Sequence, residues 1–275
     1  METKIASHTL SSIILIVSVF AACGMRSKHT FPIPLQTRGT DLDTISKLSD
    51  MRGDSAIFVH NGNYSFVVKS KYVETAESED VVKDRSLEPN FETYRGIDRA
   101  DAKLSIPETE KIVFLTTTEL RASLIPDSIM RSKKVGLKTN SARTLSETQN
   151  VSVTKAYLFA ISREADNDLH LIIGNKNANG APIKLLNCEI TGLPDTSAPS
   201  YATLKSVRDY IIGFLGTDFT VKPGPGYIVF TSGLKMTIEG PLFYDIGHGP
   251  GIIGPKSFRS PTAWEIHPVS YIAFD

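Results

Sequence analysis

Three histidines in the second half of the chain stand within three residues of an acid. Asp166-Asn-Asp168-Leu-His170 is the first group, Asp245-Ile-Gly-His248 the second and Glu265-Ile-His267 the third. Imidazoles and carboxylates ligate divalent metals and pass protons near neutral pH. A carboxylate beside a histidine also fixes its tautomer and raises its pKa. In extended backbone, residues two apart share a face. That rule aligns Asp168 with His170, and Glu265 with His267, while Trp264, Ile266 and Pro268 take the opposite face. Glu189, at the end of another apolar run, can join them. The binding candidates are therefore Asp168, His170, Glu189, Asp245, His248, Glu265 and His267. None of them has the His-Glu-x-x-His spacing of a zinc helix, so only the tertiary fold can bring them together. A blander reading competes with this one. In it Asp168 caps a turn, Asp245 holds the amides of the glycine loop that follows, and His267 anchors a strand.

The elements that must position these residues are short and mostly β. Val151–Ala160, Leu169–Gly174 and Ile183–Ile190 read as three strands, with Asn179-Gly180 marking the second turn. Residues 200–215 read as a helix, with Leu204, Val207, Ile211 and Phe214 forming an apolar stripe at spacings of three and four. Tyr227–Thr231, Leu234–Tyr244 and Ala263–Phe274 complete the series. Three strands, a helix, then two or three strands is the order of an OB-fold, a five-stranded Greek-key barrel. The expected fold is thus mainly β, α+β overall, with an OB-like five-stranded barrel and one helix over residues 151–275. Cys188, in the apolar run Leu185-Leu186-Asn187-Cys188, reads as core packing.

Residues 39–150 read as a mixed α+β region without an assignable fold. It offers a short helix at Asp41–Met51 and a hairpin of Ala56–Val59 with Tyr64–Val68 around Asn61-Gly62. Glu74–Asn90 reads as a loop and Lys111–Leu115 as a strand. Residues 118–150 show little pattern. This region is charge-rich and the barrel region is not: residues 24–150 hold 37 charged side chains in 127, residues 151–275 hold 21 in 125. The few acids of the second half are therefore conspicuous beside its histidines.

The beginning of the chain carries an address. Lys4 precedes the apolar run Leu10–Phe20, which is shorter than the roughly 20 residues that span a bilayer. Ala21 and Ala22 follow, then Cys23. This is the layout of a secretory signal over residues 1–22. Phe20-Ala21-Ala22-Cys23 resembles a bacterial lipobox, in which the cysteine is acylated, with palmitate for example, and becomes the first residue of the mature lipoprotein. Residues 23–38 then form a tether. The expected location is extracytoplasmic, in a bacterial cell envelope, held to the membrane through a lipid at Cys23.

The three histidine groups also carry a resemblance. Glu164-Ala-Asp166-Asn-Asp168-Leu-His170-Leu-Ile-Ile, Phe243-Tyr244-Asp245 with His248-Gly249 and Gly254-Pro255, and Glu265-Ile-His267-Pro268-Val269 occur in that order. The set resembles the C-terminal domains of a group of uncharacterised secreted bacterial proteins. Those have a D-x-H strand, an F-F-D-x-x-H-G turn and a terminal E-[IL]-H-P-V strand. The likeness covers about residues 150–275, and Pro250 and Gly254 depart from it. It implies an extracytoplasmic domain with a shared site and supplies no reaction.

Composition narrows the function. Thirty basic residues balance thirty acidic ones, which argues against bulk nucleic-acid binding through the phosphate backbone. Two cysteines exclude a disulfide scaffold and a cysteine-built zinc site. No G-x-S-x-G elbow or phosphate-binding P-loop is present. The leading expectation is a membrane-tethered binding or interaction module with an unidentified ligand or protein partner. The alternative is a metal-assisted, nuclease-like hydrolase that uses the His/Asp/Glu cluster at the barrel rim. A divalent metal enters as cofactor under that alternative alone.

Overall fold

The computed structural model describes residues 54–61 and 64–74 as backbone strands, and residues 92–132, 137, 140–164, 166–215 and 226–275. All lie in one compact unit, residues 31–275. The predicted signal, tether, Cys23, the helix at Asp41–Met51 and nearly all of the loop at Glu74–Asn90 fall outside the described residues.

β1 (Asp54–Asn61) and β2 (Tyr64–Glu74) form an antiparallel hairpin whose register ends at Asn61 opposite Tyr64. This is where Asn61-Gly62 predicted a turn. Next come α1 (Ala100–Leu104), β3 (Lys111–Phe114), α2 (Thr117–Ser123) and α3 (Asp127–Ser132). The barrel then follows in sequence: β4 (Asn150–Arg163), β5 (Leu169–Lys176), β6 (Pro182–Ile190), α4 (Tyr201–Leu215), β7 (Gly226–Tyr244) and β8 (Trp264–Ile266). β9 (Tyr271–Phe274) ends the chain's ordered elements.

The barrel closes through five pairings. β4 pairs antiparallel with both β5 and β7, β5 with β6, and β7 with β8, while β6 and β8 run parallel. A long first strand that reaches two neighbours, a helix between the third and fourth strands and a parallel third–fifth pairing are the OB arrangement, as the sequence order predicted. Four outer strands extend the sheet, with β1 at its edge on β2. β2 and β9 pair with β7, and β3 pairs with β4.

Two strand predictions are corrected. Tyr227–Thr231 and Leu234–Tyr244 are one strand, β7. The irregularity that suggested a break is real: β4 faces Leu234 at Leu158 and Val229 at Ala160. Gly233, at φ +62°, turns the backbone where a side chain would strike the Phe159 ring at 2.6 Å. Conversely, Ala263–Phe274 is two strands. Pro268 has no N–H for a ladder. β8 before it pairs with β6 and the end of β7, whereas β9 after it pairs with Met236–Glu239.

Alternation sorts the strands into two faces. Leu171, Ile173, Leu186, Cys188, Ile190, Trp264 and Ile266 point into the buried apolar interior. The expected packing role of Cys188 is observed there. The predicted stripe of α4 is buried at Leu204, Val207, Ile211 and Phe214, and Phe214 stacks on Phe274 with ring centroids 3.9 Å apart. His170, Asn187, Glu189 and Glu265 are the alternate residues and take the outer face. That face is covered as well. The loop after β7 brings Ile253 and Phe258 against Ile172, and the segment 92–104 crosses the cluster. Tyr94 N–H donates to the Leu193 carbonyl at 2.9 Å and Arg95 N–H to the Asp166 carbonyl at 2.9 Å. Gly192 makes this crossing feasible, since a Cβ there would lie 2.6 Å from Tyr94 Cα.

Candidate functional site

Strand register sets the site. His170 on β5 lies opposite Glu189 on β6, and Asn187 on β6 lies opposite Glu265 on β8. Their side chains therefore form one polar row across three strands, on the outer face of the barrel's second and third strands. In OB barrels this face, with the loops between strands one and two and between four and five, takes up ligands. Here those loops supply Asp168 and Asp245.

All seven candidates form one connected cluster. His170 Nε2 lies 3.0 Å from Glu189 Oε1. Asn187 donates its amide to Glu189 Oε1 at 3.0 Å and to Glu265 Oε2 at 2.8 Å. His267 Nδ1 contacts Glu265 Oε1 at 3.0 Å and Glu189 Oε2 at 2.6 Å. Glu189 Oε2 is the nearer of the two, yet it has no contact of hydrogen-bond geometry. On the far side of the ring, His267 Nε2 faces Asp168 Oδ2 at 3.9 Å. Asp245 joins through Glu189 and Glu265, with one oxygen of each carboxylate within 4.8 Å of the others. His248, the seventh, is half-exposed at the edge and contacts Asp245 Oδ2 through Nδ1 at 2.6 Å.

The blander role expected of Asp245 is also present, but that of Asp168 is not: the turn before β5 is capped by Asp166, whose Oδ1 accepts from Asp168 N–H at 3.0 Å. Asp168 Oδ1 accepts from Gly192 N–H at 2.6 Å and Thr191 Oγ1 at 3.0 Å. Asp245 Oδ1 accepts from the amides of Gly247 and His248, as expected of an acid that opens a glycine loop. These bonds use one oxygen of Asp168 and leave the other, Oδ2, buried and without a hydrogen bond.

Electrostatics mark the same spot. Burial, Asp166 and Glu189 push the Asp168 carboxyl up to about 7, against the opposing pull of His267 and Lys103. Burial, then Glu189 and Asp245, push Glu265 well above the carboxylate range. Burial would also raise Glu189, but His170, His267 and Lys103 hold it well below that range. Adjacent Glu189 and Glu265 are thus pushed in opposite directions. Burial opposes the charge on His170, yet Glu189, Tyr227 and Glu164 raise its pKa well above the usual imidazole value. The hydrogen bond to Asp245 raises His248 to about 9.

Sequence reasoning missed Lys103, Tyr94 and Asn187. Lys103 and Tyr94 arrive from the charge-rich region with no local signal. The Lys103 ammonium lies 5.8 Å from the Phe243 ring centroid, and Phe243 is the register partner of Glu265. Glu189 and Asp245 raise its pKa despite its burial. The Tyr94 hydroxyl is buried with no hydrogen-bond partner. Asn187 did carry a signal, because it precedes Glu189 by two and so shares its face.

Among the described residues, two groups of three acids and histidines can offer converging donors: Asp168, Glu189 and His267, and Glu189, Asp245 and Glu265. In the first, the three orphaned buried atoms are Asp168 Oδ2, Glu189 Oε2 and His267 Nε2. A proton on Nδ1, toward the carboxylate partners, leaves the Nε2 lone pair available. This is the carboxylate–histidine arrangement that orients a metal-ligating imidazole. Fold and site together define an OB-type barrel with a buried carboxylate–histidine cluster on the outer face of its second and third strands. No family model, curated protein or solved structure matches the chain.

Proposed function

We propose that the protein is a divalent-cation-binding OB barrel of the bacterial cell envelope, with the ion held by Asp168, Glu189 and His267. One observation carries the reading: a buried donor atom from each of these residues lacks a hydrogen bond, and the three residues converge within 4.8 Å. A buried unsatisfied polar atom costs about 1–3 kcal/mol, and a cation between Asp168 Oδ2 and His267 Nε2 removes that cost for both. One imidazole with two carboxylates suits Zn²⁺ or Mn²⁺ better than Ca²⁺, which prefers oxygen alone. A bound ion would join the start of β5, the end of β6 and the residue after β8. The signal-like start and Cys23 support an envelope location with a lipid tether. No described helix is long and apolar enough to cross a membrane.

The test is calorimetric titration of the full chain, treated with chelator, with Zn²⁺ and Mn²⁺. Saturable binding that Asp168→Asn abolishes is expected. Heat indistinguishable from dilution for both ions overturns the reading.

The metal-assisted hydrolase has one specific observation in its favour. The buried Tyr94 hydroxyl has no hydrogen-bond partner and lies close enough to Asp168 for that carboxylate to raise its pKa. It could donate to a substrate oxygen bound beside the metal. Metal-dependent cleavage of a simple phosphodiester that Tyr94→Phe slows would support it; metal binding without cleavage leaves the binding module.

A further inference from the structure

We infer that Arg143 is the positioning residue of the proposed cation site, holding His267 at the distance from Asp168 that one ion can bridge. The inference rests on the metal-binding reading above and deepens it.

The three ligands are not held alike. Asp168 adjoins the β5–β6 ladder and Glu189 lies in it, with Leu169 opposite Ile190 and His170 opposite Glu189. Arg208, from α4, fastens the same end of that ladder. Its Nη1 donates to the Asn167 carbonyl at 2.8 Å and to the Thr191 carbonyl at 3.0 Å. His267 lies beyond any ladder. β8 is three residues long, its pairings end at Ile266, and Pro268 has no N–H to extend them. The backbone of His267 is held from both sides instead. Its N–H donates to the Pro241 carbonyl at 2.9 Å, and its carbonyl accepts from Arg143 Nη2 at 2.6 Å.

The Arg143 guanidinium reaches several segments at once. Nη1 donates to the Leu242 carbonyl at 2.8 Å, and Leu242 is the β7 partner of Ile266. Nε and Nη2 donate to the Oγ and the carbonyl of Ser105, the residue after α1, each at 3.1 Å. Its central carbon stands 5.6 Å from the Phe243 ring centroid. One planar fork thereby ties the third ligand to β7 and to the segment that crosses the cluster. A lysine ammonium has no such fork. The contact of His267 Nδ1 with Glu265 Oε1 at 3.0 Å turns the ring, and the backbone sets how far Nε2 stands from Asp168 Oδ2, which is 3.9 Å. Binding constellations must be held to within about 0.5 Å. Arg143 thus acts through the His267 backbone and is not itself a ligand.

The experiment uses the full chain, with Zn²⁺ affinity from calorimetric titration and Co²⁺ absorption as the report on ligand geometry. Arg143→Lys keeps the charge and loses the fork. It is expected to weaken Zn²⁺ binding about 10–100-fold, the usual effect of losing a partner that orients a ligand, and to alter the Co²⁺ bands. A merely structural role would lower the folded fraction and leave the folded molecules with the wild-type bands. Ser105→Ala cuts the Nε–Oγ arm and spares the His267 arm, so it should bind as the wild type does. Wild-type affinity and bands in Arg143→Lys, or an equal loss in Ser105→Ala, overturn the inference while the metal reading stands. No Zn²⁺ binding by the wild type overturns both. If Arg143→Lys is unfolded in chelator, saturating metal is expected to refold it with altered Co²⁺ bands. A variant that stays unfolded, or refolds with wild-type bands, also overturns the inference.

Discussion

His267 Nε2 and Asp168 Oδ2 face each other across 3.9 Å, both residues fully buried and both atoms without a hydrogen bond. The gap is too long for a hydrogen bond and suits two ligands of one ion. Asp168→Asn keeps the side chain's shape and the acceptor for Gly192 N–H. It is expected to abolish the thermal stabilisation by Zn²⁺, which at a hundredfold excess over Kd amounts to about 2.7 kcal/mol. Without metal, the same variant should be as stable as the wild type, because it removes a carboxylate that burial already disfavours. Calorimetric melting with and without Zn²⁺ checks both. A metal-induced shift of wild-type size in Asp168→Asn would sink the ligand assignment.

Asn187 holds Glu189 and Glu265 with one amide group. Asn187→Leu fills similar space and removes both bonds. The expected loss is about 1–3 kcal/mol, the cost of unsatisfied buried acceptors, with a larger loss of metal affinity than of stability. Urea unfolding beside metal titration separates the two; equal metal affinity in the variant would contradict the positioning role.

A second buried pair supports the cover of the site. Arg99 meets Glu147 with two parallel contacts, Nη1–Oε1 at 2.7 Å and Nη2–Oε2 at 2.8 Å, both residues almost fully buried. Burial alone would raise the Glu147 carboxyl. The bonds from Arg99 and from the amides of Thr144 and Tyr244 outweigh it and hold the pKa below its ordinary value. A depressed pKa contributes stability that is complete above the unfolded-state value, about 4.3, and is lost as pH falls through the folded-state value. The wild type should therefore lose stability as pH drops below about 4.3, and Glu147→Gln should show a shallower slope there. At pH 7 Arg99→Met should cost about 3–5 kcal/mol, since it strands a buried charge. Denaturation across pH 3–7 tests this, and parallel curves for wild type and Glu147→Gln would contradict it.

Gly192 lets residues 92–104 cross the cluster. Gly192→Ala puts a methyl 2.6 Å from Tyr94 Cα, and backbone on both sides must give way. We expect a loss of about 1–3 kcal/mol and faster hydrogen exchange at the amides of Tyr94 and Arg95. Unchanged protection at those amides would show that the crossing is not tight.

The proposed lipid at Cys23 predicts that Cys23→Ser moves the protein from the membrane fraction to the soluble one. Buried acyl chains contribute about 0.8 kcal/mol per CH₂, so the shift should be nearly complete. An unchanged membrane fraction would remove the tether.

The barrel was legible because its strands alternate cleanly and its helix carries an unbroken stripe at Leu204, Val207, Ile211 and Phe214. The pairing of Glu265 with His267 was legible for the same reason. What failed was anything decided by pairing partners. Pro268 splits a run that periodicity cannot split, and Gly233 bends β7 without ending it. Signals were also passed over in residues 118–150: Thr144-Leu-Ser-Glu147 is a capping box, with Thr144 N–H donating to Glu147 Oε2 at 2.6 Å. Lys103 and Tyr94 could not be found from the chain alone. Their place in the site depends on a crossing contact between Tyr94 and Leu193, residues far apart in sequence.

The parallel pairing of β6 with β8 has a consequence in time. Asp168 and Glu189 emerge early in the barrel sequence, but His267 follows its last strand, about a hundred residues after Asp168. Contacts of such separation close late in folding. The proposed cation would meet its third donor only once β8 lies between β6 and β7. Metal capture would then report completion, distinguishing a finished barrel from one still waiting for its final strand.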